Sequence, residues 1–313
     1  MGVNLKSLVL KKEIKLSQLK GKKIAIDTYL VLYQFLKTMP IFTDRKGRIT
    51  THLLGLFFRT THLMAEGLKL CFILDGPLRE IKRYRKIISG QFSFRETTTL
   101  TSEIIKESIE LLTLLGLPVI QAPAEGEAQA AFMTTERCPL AKRVWAVGSQ
   151  DYDCLIFGAK RMVFNLTFSR YRKLPSDHKP IRPYLIELKE ILKEHKISFN
   201  QLILLSILIG TDFNPEGAKV DGEGIGPKRA LELIKKYPKL SILFSKRRKK
   251  EKIEWDFEVS PDILFSYIKT MPVTLDYKLK WVPPDKRKLI KFLCEERDFS
   301  KERVKAALNR IKE

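Results

Sequence analysis

Short apolar runs alternate with amphipathic stretches through the first 170 residues of the chain. Lys23-Ile24-Ala25-Ile26, Leu70-Cys71-Phe72-Ile73-Leu74, Pro118-Val119-Ile120-Gln121, Val144-Trp145-Ala146-Val147 and Arg161–Leu166 read as strands, near 22–27, 69–74, 118–121, 143–148 and 161–166. Between them, Thr51–Glu66 carries apolar residues at Leu53, Leu54, Phe57, Phe58, Leu63 and Met64, the period of a partly buried helix. Ser102–Leu115 and Glu125–Thr134 read as further helices, residues 5–20 as a short helical lead-in, and Arg79–Lys86 as a basic helical segment followed by a polar loop at 90–101. Strands alternating with helices at these spacings predict an α/β fold with a parallel, doubly wound sheet. Beyond residue 185 the pattern is almost wholly helical, and no strand hairpin is expected there.

Three of the predicted strands run directly into acids: Asp27, Asp75, and Asp151 with Asp153. Glu125 and Glu127 open a helix after Pro123, and Asp212 follows the apolar helix Leu202–Ile209. In an open α/β sheet, ligands gather at the carboxyl ends of strands, so these acids are expected to converge. Each patch alone has a plainer explanation, either a favourable helix dipole contact or a turn. Together they form a crowd of like charges that must take up protons or hold hard cations. All seven offer oxygen, with no His or Cys among them, so Mg²⁺ is the expected ion. A pair of such ions about 3.5–4 Å apart would serve phosphodiester hydrolysis.

Charge strengthens that reading. Lys and Arg total 58 against 36 Asp and Glu, a net charge of +22 with a pI near 9.8. The excess points to nucleic acid or another anionic surface. Heat adaptation would raise both signs together and explains the imbalance less well. Four scattered cysteines (Cys71, Cys138, Cys154, Cys294) fit neither a zinc site nor a disulfide framework, and suit a reducing compartment. No secretory leader or membrane-length apolar run is present, and Lys6 disfavours myristoylation at Gly2. The run 246–252 is a basic, low-complexity loop. Gly224-Ile225-Gly226-Pro227-Lys228-Arg229 is a turn opening a helix, either an ordinary helix–turn–helix corner or, given its charge, a cradle for backbone phosphate.

The strings Ile24–Asp27, Leu74-Asp75-Gly76-Pro77, Ala124–Ala130, Ser149–Asp153 and Ile209–Asp212 closely resemble the structure-specific 5′ nucleases, best of all flap endonucleases of archaeal type. The likeness runs nearly end to end. It implies a PIN-like α/β nuclease over residues 1–185, with an arch at about 77–101, and a helical region over 186–313 containing a helix-two-turn-helix at about 200–237. By the same resemblance, Asp27, Asp75, Glu125, Glu127, Asp151, Asp153 and Asp212 hold two Mg²⁺ ions, with Mn²⁺ as a substitute. Lys82 steers the scissile phosphate, with Arg83, Arg85 and Lys86 as neighbouring arch cations. Tyr33 stacks on a base or, as the plainer alternative, is a core residue, and Arg59 belongs to the duplex face. Gly2 lies near the active site. Gly224, Gly226, Lys228 and Arg229 grip the uncut strand, where relatives bind K⁺.

The resemblance implies cleavage of branched DNA at 5′ flaps in replication and repair, by a monomer working in the cytoplasm at the nucleoid of an archaeon. The chain departs from the family in three places. Only 49 residues separate Asp75 from Glu125, roughly twenty fewer than expected, so the arch is short. That favours bubble or four-way-junction cutting, or 5′→3′ exonuclease action, as the nearest rivals; a non-catalytic junction binder is a remoter one. The resemblance admits a sliding clamp as a partner, but no tail segment of the kind the family uses to bind it is recognisable at the end of the chain. The stretch 217–223 is longer than usual and brings Asp221 and Glu223 near the phosphate grip.

Overall fold

A computed structural model of the protein describes residues 2–76, 100–167, 182–245 and 252–311. Its main sheet contains β1 (Lys12–Glu13), β2 (Lys23–Asp27), β3 (Lys69–Leu74), β4 (Val119–Gln121), β5 (Ala146–Gly148), β6 (Arg161–Phe164) and β7 (Tyr184–Glu187). The spatial order is β1-β7-β6-β5-β2-β3-β4. The run from β6 to β4 is parallel, and β7 and β1 close one side antiparallel. All five predicted strands are present, within a few residues of their expected ends.

The period of two along the strands sorts the core. Ile24, Ile26, Leu70 and Phe72 point to one face, against Leu32 and Phe35 of helix Thr28–Thr38, Leu56 and Phe57 of helix Thr51–Ala65, and Leu111 and Leu112 of helix Ser102–Leu114. Ala25, Cys71 and Ile73 point to the other, against Ala130 and Ala131 of helix Gly126–Phe132. Coverage on both faces explains why these strands read as unbroken apolar runs.

Two expectations fail. Residues 5–20 hold no α-helix; strand β1 and a 3₁₀ turn at Leu16–Leu19 replace it. Leu5 and Leu8 pack into one core cluster, and Ile14 and Leu19 into another, so their spacing serves two faces of the molecule and not one helix. Beyond residue 185, β7 crosses the expected division and a second, three-stranded sheet forms from β8 (Lys219–Val220), β9 (Glu223–Gly224) and β10 (Ile253–Glu254). The β8–β9 hairpin turns on Asp221 and Gly222, both at positive φ (56° and 77°), the geometry that an Asp-Gly pair supports. Strands of two residues are too short to leave an alternating pattern.

An extended strap, residues 271–285, crosses behind the sheet. The Gln129 side chain pairs with the Thr274 backbone in both directions (2.7 and 3.1 Å), the Trp281 indole N–H donates to Leu70 O (2.6 Å), and Val282 N donates to Gly116 O (3.0 Å). The strap delivers Leu289, Phe292, Leu293, Val304 and Leu308 to the first face of the sheet. There Glu107 is buried between His52, whose Nε2 lies 3.0 Å away, and Arg297, which contacts it through Nε (3.1 Å) and Nη2. Burial pushes the Glu107 carboxyl up, but its hydrogen bonds from His52 and Arg297 and the Arg297 charge outweigh that and hold it below the usual range. Replacing one partner of such a group strands the others in the core. Glu107→Ala should therefore cost about 3 kcal/mol in urea unfolding at neutral pH. Because the folded pKa is depressed, that contribution is present above the ordinary glutamate range and should fade as pH falls through the folded value.

Candidate metal centre

Four adjacent parallel strands deliver the acids. Asp27 is the last residue of β2, Asp75 follows β3, Glu125 stands four residues past β4, and Asp151 three past β5. In the sheet these strands lie side by side as β5-β2-β3-β4, so their carboxyl ends form one edge. Oxygens of Asp75, Glu125 and Glu127 fall within 4.8 Å of one another. Asp27 and Glu127 act on each other, Asp27 feels the charges of Asp75 and Asp151, and Asp212 acts on both Asp151 and Asp153. Charge interactions thus link all seven predicted acids into one cluster at that edge.

Backbone amides fix the carboxylates. Leu30 N donates to Asp27 Oδ1 (3.0 Å), Gly126 N to Asp75 Oδ1 (2.6 Å), and Asp153 N to Asp151 Oδ1 (3.1 Å). The amino-terminal segment contributes as well: Gly2 N donates to Asp151 Oδ2 (3.0 Å) and Val3 N to Asp153 Oδ1 (2.7 Å). Only glycine fits at position 2, because a Cβ there would overlap the Asp151 carboxylate. Asp212 is set by a tight turn after helix Phe199–Ile209. In that turn the Thr211 hydroxyl donates to Asn214 Oδ1 (2.7 Å), and Asn214 Nδ2 donates back to Ile207 O (2.8 Å).

Crowding and burial raise the proton affinity of the cluster. Burial and the Asp75 charge push Asp27 up to about 7. Burial, then the charges of Asp27, Asp75 and Asp153, hold Glu127 well above the usual carboxylate range. Asp153 is raised likewise by burial and Asp151, and Asp151 by burial, with Asp212 adding to it. An all-oxygen donor set whose members repel one another is matched by hard divalent cations, so the residues present fit a metal.

The other predicted residues divide. Tyr33 is 40% exposed on helix Thr28–Thr38, and burial followed by the Asp75 charge raises its pKa, so it borders the acid pocket and is no core residue. Tyr29, one helical turn earlier, is raised by burial, Asp75 and Tyr33. The sequence reading missed it, although an aromatic pair at i, i+4 just after Asp27 was a usable signal. It also missed the amide contributed by Val3. Arg59 donates through Nε (3.0 Å) and Nη2 to Leu166 O, which ties it to the loop after β6. Gly224 and Gly226 have open space where a side chain would stand, Lys228 is exposed beside them, and Arg229 Nη2 lies 3.9 Å from Asp221 Oδ2. Lys82, Arg83, Arg85 and Lys86 lie outside the described residues, as does most of the expected arch.

Comparison with known proteins agrees with this geometry. The XPG N-terminal domain matches residues 1–88 and the XPG I-region residues 116–212. The chain is 40% identical to Flap endonuclease 1 of Thermococcus onnurineus over 343 aligned positions, covering 100% of this chain and 95% of the relative. Flap endonuclease 1 of Pyrococcus abyssi is 41% identical, with 100% and 94% covered. The first alignment is longer than this 313-residue chain, so that relative carries residues absent here. Among solved structures, flap endonuclease-1 from Methanococcus jannaschii superposes with a TM-score of 0.77 at 35% identity, covering 99% and 98% of the two chains. The catalytic core of Rad2 in complex with DNA substrate, 23% identical, shares the fold (TM-score 0.75, 96% of each chain).

Two outcomes follow from the pocket. A carboxyl whose folded pKa exceeds its unfolded value stabilises fully below the unfolded value, near 3.8 for Asp27, and loses that share as pH climbs through about 7. Metal-free protein should therefore show a falling Tm between about pH 5 and 8, and added Mg²⁺ should restore more stability at the upper end, read by calorimetry. Gly2→Ala should cut turnover by about tenfold or more, while circular dichroism shows an unchanged fold.

Proposed function

The chain belongs to the flap endonuclease family, and from that premise we infer that it is a metal-dependent, structure-specific 5′ nuclease that cuts flaps near the junction of single strand and duplex. The observation that carries this is the delivery of seven acids to one pocket by four adjacent strand ends and the turn after helix Phe199–Ile209. Asp27, Asp75, Glu125, Glu127, Asp151, Asp153 and Asp212 would hold two divalent ions, with Mg²⁺ preferred and Mn²⁺ a substitute. Bound there, the pair supplies the Lewis acidity that activates water and stabilises a departing 3′ oxygen.

The chain's own residues do the rest. Amides of Gly2, Val3, Leu30, Gly126 and Asp153 keep the carboxylates oriented. Tyr33, with Tyr29 beside it, offers aromatic surface on which an unpaired base rests as the strand enters. Lys82, by its place in the sequence, brings positive charge to the reacting phosphate. Residues 1–185, joined by Asp212, carry the chemistry in this reading, and the rest of the region 186–313 grips duplex. Gly224, Gly226 and Lys228 present open backbone and charge to the uncut strand, with K⁺ held at the same turn. Arg59 acts on the duplex face indirectly, by fixing the loop after β6. The protein works as a monomer on branched DNA.

No described helix is long and apolar enough to cross a membrane. The relatives are archaeal, and a place at the nucleoid suits the substrate. The short link between Asp75 and Glu125 favours an open clamp, and with it bubbles and four-way junctions as further substrates.

Labelled flap, nicked, bubble and four-way substrates with Mg²⁺ test the reading together. The flap should be cut to leave a 5′ phosphate and a 3′ hydroxyl, and Asp151→Ala should abolish cutting while binding stays within about threefold. Normal turnover by that variant removes Asp151 from the site. Blocking the 5′ end of the flap should leave cleavage undiminished if the clamp is open, whereas a block that stops cutting identifies threading.

A further inference from the structure

The strands that end in acids begin among cations. At the amino ends of β2, β5 and β6 lies a cleft of about 430 Å³ lined by Lys22, Lys23, Arg143, Trp145, Lys160 and Arg161, with Leu140 on its rim. Two of the cations are neutralised: Lys160 pairs with Glu136, and Arg161 Nε lies 3.2 Å from Glu187 Oε1. Arg143 is not paired with a carboxylate but is oriented, donating through Nε and Nη2 to Cys138 O (3.1 and 2.8 Å) and through Nη2 to Glu136 O (3.2 Å). Among the described residues, no carboxylate pairs with Lys22 or Lys23. The cleft therefore holds an uncompensated positive field over a small, shaped volume, a field that concentrates anions.

Its surroundings narrow the anion's class. Lys23 and Asp27 stand at opposite ends of β2, roughly 13 Å apart. β2 sits inside the sheet, with β5 on one side and β3 on the other. The acids and the cleft therefore open at opposite ends of the same strands. The Trp145 ring already carries Lys22 and Arg161, each 5.5 Å from its centroid, which leaves it a poor platform for stacked bases. Leu140, by contrast, is 77% exposed directly beside the cations. Lys22 and Lys23 lie over the Trp145 and Trp281 rings (5.5 and 5.7 Å to the centroids) without a carboxylate among the described residues, and a bare apolar side chain beside such lysines matches a ligand that alternates carboxylates with aliphatic or aromatic groups.

We propose that this cleft docks a short acidic peptide segment of a partner protein, with its carboxylates on Lys22, Lys23 and Arg143 and an apolar side chain against Leu140. The site is independent of the acid pocket and does not rest on the nuclease reading.

The test uses the full chain and two fluorescein-labelled probes in anisotropy titrations at about 150 mM salt. One is the peptide Glu-Asp-Leu-Glu-Asp-Phe-Glu-Glu, the other oligothymidylate of the same length. The variants are Lys22→Glu with Lys23→Glu, and separately Leu140→Ser, which leaves the charge intact. Both should keep wild-type flap cleavage and melting temperature. The peptide should bind wild type, bind about tenfold more weakly to the double variant, and about threefold more weakly to Leu140→Ser, while oligothymidylate affinity stays unchanged. Equal peptide affinity in all three proteins, or no binding to wild type, overturns the proposal. A loss of oligothymidylate affinity that parallels the peptide's overturns it too, and makes the cleft a nucleic-acid site.

Discussion

Carboxylates packed at the end of a sheet repel one another, and that repulsion is the constraint around which this molecule is built. Burial and mutual charge raise the proton affinity of Asp27, Glu127, Asp151 and Asp153 together. A cluster like this persists only if something else holds its members in place. Here backbone N–H groups do so, each aimed at a single carboxylate oxygen from a helix start or a chain segment that the core has fixed. The stored repulsion is one that a hard cation would relieve and neutral water would not.

The remote parts of the fold serve that edge. The amino-terminal residues are pinned by Val3 and Leu5 in the core and place two amides on Asp151 and Asp153. The turn at Thr211–Asn214 brings Asp212 in from the end of helix Phe199–Ile209. Behind the sheet, the strap and the helices that follow it close the first face and lock Glu107 between His52 and Arg297. A network that is costly to break fixes the helices that flank the strands, and hence the spacing of the acids they carry.

The same strands also separate charge along their length. Their carboxyl ends collect acids, their amino ends collect Lys22, Lys23 and Arg161, and the net charge of +22 keeps the whole surface attractive to polyanions. An acid pocket inside such a field receives a phosphate backbone that would otherwise be repelled by it. The far cleft sees less of that competition, because the length of the strands lies between.

Much of this was legible in the residues. Apolar runs of four to six residues ending in Asp named the central strands and one edge of the sheet, since side chains buried on both faces leave no polar interruption. Helices Thr51–Ala65 and Ser102–Leu114 were visible in their period, whereas helix Thr28–Thr38 was not anticipated. Residues 5–20 were misread because their leucines serve two core clusters, a division that no local period records. The hairpin at Asp221-Gly222 was missed because two-residue strands carry no alternation, although the turn itself was spelled out. What the sequence alone determined is which acids exist and which strands present them, because alternation and run length are local properties. Only the tertiary structure decided that Gly2 and Val3 reach Asp151 and Asp153, that Arg59 is tied to a carbonyl, that Tyr29 joins Tyr33, and that cations gather at the opposite edge. Each of these depends on segments far apart in the chain being folded to within hydrogen-bond or charge range.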